Sequence, residues 1–180
     1  QIMEEFSDAK IIVVDTLAAS LGEGLLIMKA VQMKKEGRTL TETAKAVEEL
    51  IPHICTLFTV DDLNYLYRGG RLSKTSAVVG TLVNLKPILR VNEEGRLVAL
   101  SKTRGRNKSL QTMANLMDEY LGEFRDKQFT IGLIHGDCEE DALYLQKIIE
   151  EKYGYNNFLI RPIGPSIGAH SGPGTVGLIF

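Results

Sequence analysis

The stretch that most constrains this chain is residues 163–180, IGPSIGAHSGPGTVGLIF, where five glycines, two prolines and one histidine stand before an apolar run of β type. Glycine lets the backbone take positive φ and approach a ligand closely, and proline fixes the neighbouring turns, so the segment loses much conformational entropy to hold one shape. His170 lies in its middle, beside Ser171 and the backbone N–H groups of Gly168, Gly172 and Gly174, which no side chain covers. Successive free N–H groups of this kind form an anion-binding nest. Two readings stand: a ligand-binding loop centred on His170, or a tight connection, capped by His170, into a closing strand over residues 175–180.

A length of 180 residues suits one domain with a well-buried core, or one domain and part of another. The apolar share of 44% and charged share of 24% exclude a disordered or low-complexity chain. No apolar run approaches the roughly 18–20 residues that span a bilayer, and no basic, apolar-centred signal precedes Ile11, so a cytoplasmic chain without stable membrane insertion is expected. Cys55 and Cys138 have no C-x-x-C partner and read as core thiols. The first six residues resemble the tail of a helix and the first Met is at position 3, which suggests that an N-terminal portion is missing.

The net charge of −2 hides an asymmetry: residues 68–108 carry ten Lys or Arg against Glu93 and Glu94, a local balance of +8, leaving −10 for the remainder. Such a basic stretch suits a phosphate or an acidic partner, or is simply a solvated face. No aromatic side chain follows Tyr67 within it, so the stacking platform of a single-strand nucleic-acid binder is missing and no nucleic-acid partner is expected.

In chain order, residues 10–15 (KIIVVD) read as a buried strand. A helix follows from about Leu21, with Ser20 and Glu23 at capping-box spacing and a stripe of Leu21, Leu25, Met28 and Val31. Thr39 and Glu42 repeat that spacing for a second helix, and residues 56–60 form a strand. In residues 61–71, DDLNYLYRGGR, an aspartate caps a helical turn that Gly69 and Gly70 end, placing Arg71 at the exit. Residues 73–85 read as an apolar helix, and residues 87–91 and 97–101 as a hairpin turning at 92–95. A helix striped by Leu110, Met113 and Met117, a strand over 129–135, a helix opened by Asp137 and Glu140, and a strand over 158–163 complete the pattern. The fold class is α/β, with a parallel portion at the two ends and a second α/β portion containing the antiparallel hairpin: residues 1–60 with 155–180, and residues 61–154.

Familiar chemistry is missing. There is no G-x-x-x-x-G-K-S/T loop and no G-x-G-x-x-G directly following a strand, and GPSIG at 164–168, although it spells G-x-S-x-G, sets a proline before Ser166 and is not read as a hydrolase elbow. His53, His135 and His170 have no ligand spacing, and Asp15, Asp61 and Asp62 form no metal set, so no metal is expected. His53 and His135 read as structural residues at element ends.

RGGRLS at 68–73, NLKPIL at 84–89, KTRGR at 102–106 and GPSIGAHSGPGT at 164–175 together resemble the DegV family of bacterial fatty-acid-binding proteins, some of which are the acyl-carrying subunit of fatty acid kinase. The likeness spans the whole chain in the family's order, but about the first third of the family pattern is absent, including the segment that sets a Thr and a Ser against the lipid carboxylate. It implies a two-domain α/β protein that holds one long-chain fatty acid in an inter-domain tunnel, with no other cofactor, as part of bacterial phospholipid metabolism. His170, Gly168, Ser171 and Gly172 would face the carboxylate, which an ATP-dependent kinase partner converts to an acyl phosphate. Arg71, Arg104 and Arg106 would stabilise the anion or dock the partner. A stand-alone hydrolase or phosphotransferase using His170 is the alternative.

Overall fold

The computed structural model describes residues 2–72, 85–127 and 129–180. A short helix α1 (Ile2–Glu5) leads through irregular chain to α2 (Leu21–Lys35) and α3 (Leu40–Leu50), then a 3-10 turn (Ile51–His53) and strand β1 (Thr56–Thr59). Next come α4 (Leu63–Arg68), the hairpin β2 (Leu85–Val91) and β3 (Leu97–Arg104), α5 (Arg106–Tyr120), a 3-10 turn (Gly122–Phe124) and β4 (Ile131–His135). The chain ends with α6 (Glu139–Tyr153), β5 (Phe158–Pro162), α7 (Pro165–Ser171) and β6 (Val176–Ile179). The helix expected at residues 73–85 falls outside the described residues, except that Leu85 begins β2.

All six strands join one sheet in the order β3-β2-β1-β6-β4-β5. Among the described residues only β4 and β5 pair in parallel, with α6 as the crossover, whereas β6 runs antiparallel to both of its neighbours, β1 and β4. The chain is therefore α/β, but its parallel portion is a single strand pair. The division at residues 60/61 and 154/155 runs through this one sheet, which takes β1, β5 and β6 from one part and β2, β3 and β4 from the other.

Alternation along the strands separates the two faces. On one, Leu57, Ile88, Leu133 and Leu178 meet Leu110, Met113 and Met117 of α5 and Leu145 and Ile149 of α6 in the main core. On the other, Ile134 and Ile179 meet Leu25 of α2, and Phe58, Val60 and Leu89 meet Leu66 of α4 and Leu72.

Four local expectations are corrected. Residues 10–15 are not a strand: the segment has no ladder among the described residues, and Val13 is 80% exposed. Without a partner strand, β-branched composition alone does not make one. Ser20 has φ 56° and ψ −134° and caps no N–H of α2; moreover Met28 and Val31 are exposed while Gly22, Leu25 and Leu26 are buried, so the packed stripe is rotated from the expected one. Asp137, at φ 56°, likewise does not cap α6, whose N-cap position falls on Cys138. Finally, residues 165–171 are not loop but α7, started by Pro165 in its first turn and stopped by Gly172. That placement follows the usual preference for proline inside a helix start and glycine just past its end. The Thr39–Glu42 capping box does form, with Glu42 N–H donating to Thr39 Oγ1 at 3.3 Å and Thr39 N–H to Glu42 Oε2 at 2.8 Å.

Candidate functional site

The two unusual stretches of the sequence meet at one end of the sheet. β1 runs through Val60 to Asp61 and Asp62, and the Asp62 carboxylate accepts from Asn64 N–H at 2.9 Å, starting α4. α4 ends at Gly69; the N–H groups of Arg71 and Leu72 then both reach back to the Leu66 carbonyl. This tight exit swings Arg71 outward, where its Nη1 donates to the Gly69 carbonyl at 2.6 Å.

The glycine-rich stretch is held from the other side. Gly136 N–H donates to Thr175 O at 2.8 Å and Gly174 N–H to Gly136 O at 2.7 Å, tying the segment to the turn after β4. The Thr175 hydroxyl donates to the carbonyls of Ser171 and Gly172, closing the end of α7. The Cys138 thiol donates to Thr175 O at 3.3 Å. Burial pushes that thiol up, with the Arg106 guanidinium pulling the other way.

These bonds correct the nest. Gly168 N–H donates to Gly164 O, Gly172 N–H to Gly168 O and Gly174 N–H to Gly136 O, so the three amides are used within the fold. The glycines serve close approach instead. A methyl group on Gly69 would overlap His170 Nδ1, one on Gly172 would lie 2.5 Å from Tyr65 Cδ2, and one on Gly174 would lie 2.5 Å from the Asp61 carboxylate. Each contact joins one stretch to the other.

Beneath Gly174 the Asp61 carboxylate gathers the basic residues. Lys86 Nζ lies 2.6 Å from its Oδ1 and Arg106 Nη1 3.6 Å, while Arg106 Nε holds Asp141 Oδ2 at 2.8 Å. Four polar atoms at this end of the sheet, Thr59 Oγ1, His135 Nδ1, Ser171 Oγ and Arg106 Nη1, are buried and have no hydrogen-bond partner among the described residues. Thr59 and His135 both pair with Val176, from its two sides, so they share a face of the sheet. Buried polar atoms without partners are uncommon and mark places where water or a ligand completes the bonding.

Of the residues singled out in the sequence, His170, Gly168, Ser171 and Gly172 lie on α7 and its cap. Arg71 sits across Gly69 from His170, and Arg106 reaches in through Asp61. Arg104 is exposed at the end of β3 and pairs with Leu85. Sequence reasoning missed Asp61 and Lys86 as members of the cluster; His135, read as structural, stands in the row with Thr59 and Val176. The signal for Asp61 was its place at a strand end beside a glycine-rich turn; nothing in the sequence marked Thr59. Among the described residues no group of three or more His, Cys, Asp or Glu could hold a metal ion, and no helix is long and apolar enough to cross a membrane.

The whole chain, residues 1–180, matches the family described as uncharacterised protein, DegV family. A DegV domain-containing protein of Clostridium perfringens is 43% identical over 180 residues, covering 100% of this chain and 61% of that protein. The fold matches that of a fatty-acid-binding DegV family protein from Streptococcus agalactiae with a TM-score of 0.86 at 30% identity, over 99% of this chain and 62% of that one. It also matches the Streptococcus pneumoniae fatty acid kinase B3 protein loaded with linoleic acid, with a TM-score of 0.85 at 26% identity, over 99% of this chain and 62% of that one. The chain thus spans about three fifths of the length of these relatives. With its four motifs joined at one end of a DegV-type sheet, the chain belongs to the DegV family.

Proposed function

We propose that this protein is a cytoplasmic carrier which binds one long-chain fatty acid and presents its carboxylate to an ATP-dependent kinase partner for conversion to an acyl phosphate. The observation that carries the reading is the seating of His170 against Gly69, which sets an imidazole beside the Gly69–Arg71 corner in a chain whose relatives bind fatty acids. A carboxylate with a pKa near 4–5 is already ionised at pH 7, so the ligand needs donors and no general base. His170 serves as an orienting donor, and the acyl chain runs toward the apolar cluster of Phe58, Val60, Leu66 and Leu89. Arg71 and Arg104 are exposed where they would meet the partner or the incoming phosphoryl group, whereas Arg106 is held in place by Asp141 and Asp61. ATP and its magnesium belong to the partner, which accounts for a chain without nucleotide motifs.

Mass spectrometry of ligand extracted from the purified protein, with calorimetric titration of the delipidated protein by palmitate, tests the reading. His170→Ala should weaken palmitate binding about tenfold to a hundredfold, the worth of one hydrogen bond to a charged group. The double charge reversal Arg71→Glu, Arg104→Glu should abolish kinase-supported acyl phosphate formation while palmitate affinity holds. No copurifying acid, together with unchanged affinity in His170→Ala, would overturn the proposal.

A further inference from the structure

The end of the sheet opposite His170 holds an apolar cavity of about 380 Å³, within the range of about 300–1,000 Å³ usual for small-molecule sites. It opens where β1 and β4 begin and β6 ends, between α2, the C-terminal end of α5 and the turn Gly122–Phe124. With strands of four or five residues between them, it lies about 15 Å from the Thr59–Val176–His135 row. Its walls are Leu25, Leu26, Leu121, Phe124, Phe129 and Phe180.

Among the described residues that line this cavity, Lys29 has the one charged side chain, His53, Gln32, Thr130 and Tyr120 are the other polar ones, and none has a carboxylate side chain. The ring of Phe124 is flanked by the His53 ring, with centroids 4.8 Å apart, and by Lys127 Nζ at 4.5 Å from its centroid. Glu123, on the same turn, lines the neighbouring cavity of about 440 Å³ instead. Among the described residues Lys29 is held by a 3.5 Å contact to Gln32, whose own amide is taken by Glu36 at 2.9 Å. An apolar chamber with a lone, weakly engaged ammonium at its edge suits an apolar tail with an anionic head.

We propose that this cavity is a second ligand site, separate from the His170 end, for a medium-chain carboxylate whose tail packs between α2 and Phe124 and whose head group meets Lys29. It stands independently of the reading given for His170. The test is titration of the delipidated protein, with ¹³C-labelled Leu and Met methyl groups, by hexanoate, octanoate and decanoate below their micelle-forming concentrations. Saturable shifts should appear at Leu25, Leu26, Met28 and Leu121, with binding about fourfold tighter per added methylene until the cavity is full. Decylammonium should bind at least tenfold more weakly than decanoate. Lys29→Glu, a change at an exposed position, should weaken decanoate about tenfold and leave decanol unaffected. Shifts confined to Leu89 and Leu66 would overturn this site while leaving the His170 reading standing. Absence of saturable shifts, or equal affinity for decanoate and decylammonium, would overturn it as well.

Discussion

At Gly69 and Gly172 the same substitution should have two different outcomes. Gly172 has φ +79° and ψ 172°, a region essentially reserved to glycine where an L residue costs about 1–3 kcal/mol, and its added methyl would lie 2.5 Å from the Tyr65 ring. Gly172→Ala should therefore lower unfolding free energy by about 2–4 kcal/mol in urea titration. Gly69 has φ −74°, an ordinary value, so Gly69→Ala meets no φ penalty; its methyl displaces His170 and lies 3.2 Å from the Tyr65 carbonyl. It should leave stability within about 1 kcal/mol and still weaken palmitate binding, a separation that calorimetry and denaturation together would reveal. Cys55 offers a pH test. Burial pushes its thiol from the ordinary 9.0 up to about 12, so the folded state holds the proton more tightly than the unfolded chain. The stability this confers is complete below about pH 9 and is lost as pH rises toward 12. Wild type should lose stability more steeply than Cys55→Ala between pH 9 and 11, and parallel curves would show that the thiol does not contribute. That the stretch around His170 is held in one particular shape was legible from the cost of so much glycine and proline in one place. The purpose of its glycines was misread, because a sequence shows bare amides but cannot show that Gly164, Gly168 and Gly136 supply the carbonyls that use them.

Among the elements, the α3 cap is the most direct case of local chemistry carried into structure. Thr39→Ala removes the side-chain acceptor of Glu42 N–H and should cost about 1 kcal/mol, seen as faster amide exchange in the first turn of α3 with the sheet unchanged. Three identical spacings were read as capping boxes and only this one closed. Ser20 and Asp137 both sit at φ 56°, a conformation imposed by how the preceding chain enters the fold and invisible in a four-residue pattern. The hairpin, the main-core stripe of α5 and the β4-α6-β5 unit were legible because their periodicity is set by burial on one face. Residues 10–15 show the opposite case: their composition is that of a strand, but pairing is a property of two segments. α7 carried a readable signal in the spacing of Pro165 and Gly172, obscured by Gly168 and by the general richness of the stretch in turn residues.

Taken whole, the molecule exposes apolar side chains along α2, where Ile27 is 54% exposed, Met28 50% and Val31 47%. A patch of this kind marks an interaction surface. If this surface meets a further portion of a DegV protein, a form extended at its N-terminus to the length of the relatives should bind palmitate more tightly than the 180-residue chain and self-associate less. Calorimetry and sedimentation of the two forms side by side check this, and equal affinities would show that the 180 residues hold the whole site. The strand order has a consequence of another kind. β6 comes after every other element in the chain yet sits between β1 and β4, so it alone joins β3-β2-β1 to β4-β5. The two half-sheets are made before the strand that joins them, and each keeps an open edge until β6 enters the gap between them. An edge left open in this way invites edge-to-edge mispairing while the chain folds.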